Sequence, residues 1–317
     1  VKRKVLIPLD GSAFAERVLT FVQEVAKPHE CDLLLMHVTQ PLQYYAVLAP
    51  DAMTTVDITQ WREEAEKYLQ RITDKLEAEG CHVIPMRVEG DVASTICDMA
   101  DAQDVDLIAM TTHGRSGIEK WVLGSVADRV IRSANQPIFL VRPQEGQAPP
   151  SSLRRILVPL DGSRLAEKAL PQAIDLAKAN GSEIWLLQSV EFPEYWGEEY
   201  AGMHTLPALI STEEQEAAAQ EYLEQVAETL ANEGIPTQIV VTTGHAASAI
   251  SDVVADNGMD LIIMCTHGRS GLSRWVFGSV AEKVVRLAEC PVLLLRAHEA
   301  PAKNPDVPVD QTMVSTP

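Results

Sequence analysis

At 317 residues the chain is about twice the usual domain size, so two domains of roughly 150 residues each are expected. A formal net charge of −19, with no basic cluster longer than Lys2, Arg3 and Lys4, argues against nucleic acid as a partner, because a phosphate backbone would be repelled. No apolar run reaches the roughly 18 residues of a spanning helix, and the five cysteines (31, 81, 97, 265 and 290) form no CxxC pair, so the reading is a soluble, unexported, cytoplasmic protein without a membrane span, a disulfide framework or a zinc cluster.

In chain order, the first apolar run, VLIPL (5–9), predicts a strand that leads through Asp10-Gly11-Ser12 into the helical segment AFAERVLTFVQEVAK (13–27). A second strand is expected at DLLLMHV (32–38). The segment WREEAEKYLQRITDKLEAEG (61–80) sets Ala65, Tyr68, Leu69, Ile72 and Leu76 at helical spacing and ends at Gly80, where a left-handed cap is expected. Strands at HVIPMRV (82–88), VDLIAMT (105–111) and PIFLVR (137–142) follow, with a helix at VASTICDMADAQ (92–103) between the first two and the helix ADRVIRSANQ before the last. Strands that alternate with helices and read as nearly continuous apolar runs predict an α/β, doubly wound parallel sheet with helices on both faces.

The chain then repeats itself. KVLIPLDGSAFAERVL (4–19) stands against RILVPLDGSRLAEKAL (155–170), and DLIAMTTHGRSGIEKWVLGSV (106–126) against DLIIMCTHGRSGLSRWVFGSV (260–280), with 15 of 21 positions identical in the second match. A period this long means a duplicated domain and not a solenoid, whose period would be about 20 to 50 residues. The expected division is a first domain at 1–142, a linker rich in Pro, Gly, Gln and Ser at 143–153, a second domain at 154–298, and a mobile tail at 299–317.

Open parallel sheets collect ligands at the carboxyl ends of their strands, near the point where strand order reverses. Asp10 and Asp161 lie there and admit two readings: punctuation of the following helix, or an acceptor for a ligand amine or hydroxyl. Strand four runs into Thr111-Thr112-His113-Gly114-Arg115-Ser116-Gly117, and Gly124-Ser125-Val126 then opens a helix. Glycines let the backbone approach an anion, a helix N-terminus presents N–H groups and positive potential, Ser125 can both cap the helix and donate to an oxygen, and Arg115 supplies charge. Such a place suits phosphate. There is no Gly-Lys-Ser/Thr and no GxG, so the site is neither a P-loop nor a dinucleotide fingerprint.

These residues resemble the universal stress protein family, in which a strand ending in Asp is followed by a G-x2-G-x9-G-[S/T] loop running into the last helix. The resemblance covers both halves, excluding linker and tail. It implies that Pro8, Asp10 and Val38 border adenine and ribose, while Met110, Gly114, Gly124, Ser125 and Val126 hold ribose and phosphates. In the second half the matching residues are Pro159, Asp161, Val190, Met264, Gly268, Gly278, Ser279 and Val280, with Arg269 matching Arg115. The first motif glycine is replaced by Thr111 in one half and by Cys265 in the other. A side chain there is expected to narrow the site, with the Thr111 hydroxyl better able than Cys265 to replace a lost contact, so any asymmetry should favour the first site.

The resemblance further implies pairing of the last strands, PIFLVR and PVLLLR (291–296), as an internal dimer of the two domains, with association of two chains left open. His113 and His267 read as loop-shaping groups ahead of catalytic ones, and Trp121 and Trp275 as packing aromatics. Tyr44, Tyr45, Tyr195, Trp196 and Tyr200 fall in long segments (40–60 and 191–211) that are either a lid or partner surface, or variable insertions. Three functions stand side by side: a stress-response module binding ATP, ADP or AMP and acting on a regulatory protein partner; a slow ATP hydrolase or phosphotransferase in which Asp10 or Asp161 orients water and Arg115 or Arg269 stabilises phosphate charge; and a ligand-free scaffold acting through partner binding. Any Mg²⁺ would arrive with the phosphates.

Overall fold

The computed structural model describes residues 2–26, 31–40, 58–112, 123–142, 152–191, 205–266 and 277–296. In the first half, β1 (Lys4–Pro8), β2 (Asp32–Thr39), β3 (His82–Glu89), β4 (Leu107–Thr111) and β5 (Ile138–Val141) alternate with α1 (Ala13–Ala26), α2 (Ile58–Ala78), α3 (Val92–Ala102) and α4 (Ser125–Ser133). The second half repeats the plan with β6 (Arg155–Pro159), β7 (Glu183–Val190), β8 (Thr237–Thr243), β9 (Leu261–Cys265) and β10 (Val292–Leu295). Its helices are a short 3₁₀ turn (Ala166–Ala169) continuing into α5 (Leu170–Asn180), then α6 (Thr205–Asn232), α7 (Ala246–Asn257) and α8 (Ser279–Leu287).

The strands predicted in the first half are all present, and the α2 stripe is buried as its spacing required: Ala65, Leu69, Ile72 and Leu76 lie in the core with Tyr68 half-buried beside them. Gly80 takes φ +88° past the end of α2, and the Cys81 amide returns to the Leu76 carbonyl at 3.0 Å. Part of both long segments read as loops is helical, because α2 begins at residue 58 and α6 at residue 205. The five aromatic residues singled out in those segments lie outside the described residues.

All ten strands form one sheet in the order β3-β2-β1-β4-β5-β10-β9-β6-β7-β8. Pairing is parallel within each half and antiparallel only where β5 meets β10. The expected junction of the last strands is therefore realised within one chain. Because the halves run antiparallel, the carboxyl ends of β1–β5 and of β6–β10 lie at opposite edges of the sheet. Two core layers cover its faces. One holds Val18, Leu69, Ile72 and Ala109 with Leu176, Leu223 and Ile263 under α1, α2, α5 and α6; the other holds Leu6, Ile96 and Val130 with Ile250 and Val284 under α3, α4, α7 and α8.

Side chains from each half grip the other. Arg142, just past β5, donates Nη1 to the Arg286 carbonyl at the end of α8 (2.9 Å). Arg296, at the same place past β10, donates to the Ala134 carbonyl and at 3.4 Å to the Ser133 and Arg132 carbonyls at the end of α4. Cations at helix C-termini satisfy orphan carbonyls and oppose the negative end of the dipole. Arg132 also approaches Glu282 of the other half (3.8 Å) and lies over the Phe277 ring at 5.9 Å. Among the described residues no helix is long and apolar enough to cross a membrane.

Candidate functional site

Strand order turns back at β1: β2 and β3 lie on one side of it, β4 and β5 on the other. The crevice beyond the carboxyl ends of β1 and β4 is the switch point of the first half, and that beyond β6 and β9 is its counterpart. The register sets Pro8 opposite Met36 and Leu6 opposite Ile108, so continuing both strands brings Asp10 level with Val38 and Thr112.

The chain leaves β1 in a fixed way. The Leu9 amide donates to the Met36 carbonyl (2.8 Å), and the buried His37 ring donates Nδ1–H to the Leu9 carbonyl (2.8 Å), which as a carbonyl can only accept. Gly11 then adopts φ +87°, a left-handed turn that suits glycine. Asp10 accepts from the Ser12 amide at 2.9 Å and from Ser12 Oγ at 2.6 Å, while Ser12 Oγ accepts from the Ala15 amide at 3.1 Å and so caps α1. The copy is faithful: Asp161 accepts from the Ser163 amide (3.0 Å), Ser163 Oγ accepts from Ala166 (3.2 Å), and Gly162 has φ +79°. The helix-punctuating role of these aspartates is thus present, exercised through the serine two residues on.

At β4 the Thr112 amide donates to the Val141 carbonyl (3.0 Å), and the Thr112 carbonyl accepts from the Gly124 amide (2.9 Å). That second bond pins the start of α4 to the end of β4. Thr266 and Gly278 repeat it at 3.0 Å for α8. Gly124 and Gly278 are the N-caps of α4 and α8, extended at φ −61°, ψ 143° and φ −63°, ψ 141°, and neither helix has a side-chain cap. The expectation that Ser125 caps is corrected here. Ser125 and Ser279 are the first helical residues, exposed, with Val126 and Val280 half-buried behind them. The first amides of a helix have no intrahelical acceptor, and a glycine cap supplies none, so an outside anion fits both places. By contrast α3 is capped by the Asp91 carboxylate.

Met110 and Val126 pack in the core layer under α3 and α4 together with Val38, and Met264 and Val280 in its continuation under α7 and α8. Strand alternation places Pro8 and Asp10 on the face of Leu6, and Pro159 and Asp161 on that of Leu157, which is the same layer. These residues share one face at the switch point. Thr111 and Cys265 do not. Cys265 belongs to the opposite core layer, where its Sγ donates to the Ala166 carbonyl at 3.8 Å and burial pushes its thiol up to about 12; Thr111 follows Ala109 onto that same layer. The residues that replace the motif glycines therefore carry their side chains on the layer opposite to that of Met110, Pro8 and Asp10.

One pairing between the halves is also corrected. Pro159 lies opposite Leu187 as Pro8 lies opposite Met36, so Val38 corresponds to Ser189 and Val190 to Thr39. The matching bonds from Gly90 to the Thr39 carbonyl and from Gly244 to the Val190 carbonyl confirm the offset. Ser189, absent from the expected set, donates Oγ to the Gly244 carbonyl at 2.7 Å. Gly114, Arg115, Gly268 and Arg269, with His113, His267, Trp121 and Trp275, lie outside the described residues. No group of three His, Cys, Asp or Glu side chains converges on a metal position among the described residues. Among the described residues Asp10 and Asp161 are the carboxylates placed at the two crevices, so with these alone Mg²⁺ would depend on phosphate oxygens for the rest of its ligands.

The model of the universal stress protein family matches residues 2–142 and again 152–296. A universal stress protein of Methanocaldococcus jannaschii is 32% identical over 143 residues, covering 45% of this chain and 82% of its own. One from Mycolicibacterium smegmatis is 24% identical over 299 residues, 92% of this chain and 96% of its own. Among solved structures, a universal stress protein from Archaeoglobus fulgidus superposes with a TM-score of 0.72 at 21% identity, over 94% of this chain and 99% of that one, a likeness of fold.

Proposed function

The chain belongs to the universal stress protein family in both halves, and from that membership we propose that it is a regulatory module binding an adenine nucleotide, ATP or its shorter relatives, at each of its two switch points. The observation that carries this reading is the pair of helix N-termini, α4 and α8, each capped by a glycine without a side-chain acceptor and each tied to the strand end beside Asp10 or Asp161. Phosphates take the amides of Ser125, Val126 and Ala127 and their copies in the second half; Pro8, Val38 and Met110 form the apolar border for the base. Residues 1–142 and 154–298 act as the two binding units. Asp10, with its carboxylate already accepting two bonds from Ser12, is suited to position a ribose hydroxyl more than to take a proton from water, which favours binding over hydrolysis.

Thermal shift and titration calorimetry with ATP test the proposal. Wild type is expected to bind two nucleotides, Ser125→Trp or Ser279→Trp one, and the double variant none. Both serines are exposed, so bulk at these positions leaves the core intact. An unshifted wild type, or a double variant that binds as wild type does, overturns it.

A further inference from the structure

β2 and β3 run parallel with Asp32 opposite His82. The residue before each is a cysteine, so the register carried back one step sets Cys31 beside Cys81 at the entry to neighbouring strands. By alternation both project to the face of Leu33 and Val83, and both pack half-buried against that one core layer as free thiols. Neighbouring strands are about 4.8 Å apart, within the roughly 4.4–6.8 Å between Cα atoms that a disulfide spans.

The surroundings hold this juxtaposition. The Asp32 amide donates to the Arg3 carbonyl (2.8 Å) and the Cys81 amide to the Leu76 carbonyl (3.0 Å), while His82 Nδ1 meets Asp32 Oδ1 at 2.9 Å across the next rung. Cys31 also lines a cavity of about 220 Å³ between α1 and α5, with Arg3 and Asp106 in its wall, which gives a small reagent access. In the second half Ser182 and Ile235 occupy the equivalent places, so the pair exists in one half alone.

We propose that Cys31 and Cys81 form an oxidation site, a dithiol that a hydroperoxide converts into an intrachain disulfide joining β2 to β3. One thiol attacks the peroxide, the O–O bond breaks, and a sulfenic acid forms with release of water or an alcohol. The second thiol displaces hydroxide from that sulfur, the S–S bond forms, and its proton leaves with the hydroxide as water. Burial pushes the Cys31 thiol up, so the reaction is slow at neutral pH and needs the neighbouring sulfur to hold the product.

The test uses the full chain treated with hydrogen peroxide, quenched, unfolded and alkylated. The alkylatable thiols are expected to fall from five to three. Digestion without reductant should yield one cross-linked peptide pair containing Cys31 and Cys81, lighter by two hydrogens and separated by dithiothreitol. Cys81→Ser should give no cross-link and leave Cys31 trappable as a sulfenic acid. Peptides in which Cys31 and Cys81 stay reduced, become separate sulfinic acids, or bridge two chains on a non-reducing gel each overturn the proposal. Cys97, on α3 against the other core layer, serves as the internal reference.

Discussion

Phe139 lies directly opposite Leu293 across the antiparallel β5–β10 pair, and the two occupy the same position of the duplicated domain. The flanking pairs, Ile138 with Leu294 and Leu140 with Val292, are likewise exchanged by the repeat, so the pseudo-twofold axis passes between Phe139 and Leu293. Both side chains are almost fully buried, at 1% and 2% exposure, and belong to one core layer shared by the halves. Truncation there removes packing from both domains at once. Phe139→Ala is expected to cost about 3–5 kcal/mol and Leu293→Ala about 2–5 kcal/mol, read as a lower urea midpoint; a loss below about 1 kcal/mol in both would contradict a shared core.

The reciprocal arginine grips are the second feature to test. Arg142→Met and Arg296→Met keep much of the side-chain volume but leave the carbonyls ending α8 and α4 without their charged donor. Each should lower stability by roughly 1–2 kcal/mol. A double variant that costs no more than either single would show that the two grips act as one unit, since distant independent sites add.

Restoring the family glycine should hurt the fold and leave the site alone. Thr111 and Cys265 are 7% and 6% exposed and face the layer under α1 and α5. Thr111→Gly and Cys265→Gly each remove buried side-chain atoms and loosen a central strand, a loss of about 1–3 kcal/mol. Nucleotide affinity measured by calorimetry is expected to stay within about twofold. A tenfold gain in affinity would mean that these side chains reach the crevice.

Asp91 supplies a pH-dependent contribution. The Arg129 guanidinium, at 2.6 and 3.0 Å, holds its carboxyl well below the usual carboxylate range, helped by the Ser94 amide and hydroxyl. Because the folded-state value is depressed, the stabilisation is present above the ordinary value near 4 and is lost as pH falls below it toward the folded value. Both side chains are about half exposed, 53% and 52%, which limits the ion pair's share. Asp91→Ala should cost about 1 kcal/mol at neutral pH, chiefly as a lost helix cap. The gap between wild type and variant should narrow below about pH 4 in denaturation series; a gap that widens would reverse the sign argued here.

Much of the architecture is legible in residue order, since five strands and an amphipathic α2 follow from apolar spacing, and the duplication follows from self-comparison. What escapes is whatever depends on register between elements. Val190 looks like the partner of Val38 until strand pairing shows that Ser189 holds that position, because the repeat offset changes between β2 and α2. Thr111 and Cys265 replace motif glycines in the linear pattern, yet which face they take depends on the parity of β4 and β9. Arg142 and Arg296 end apolar runs like any solvated residue, and their acceptors lie in the other half of the chain. The nearness of Cys31 to Cys81 is hidden for the same reason.

The antiparallel β5–β10 junction also sets a rule for valency. The crevices beside β1–β4 and β9–β6 are separated by four strand spacings, about 19 Å, and by the full length of the strands, since they open toward opposite rims of the sheet. If both crevices take nucleotide as proposed, a two-headed ligand whose tether is shorter than this separation, such as two adenosines on a short polyphosphate, would not seat both heads on one molecule and would gain no avidity from the duplication. On that reading it would link separate molecules end to end, where a single-domain protein would simply be occupied.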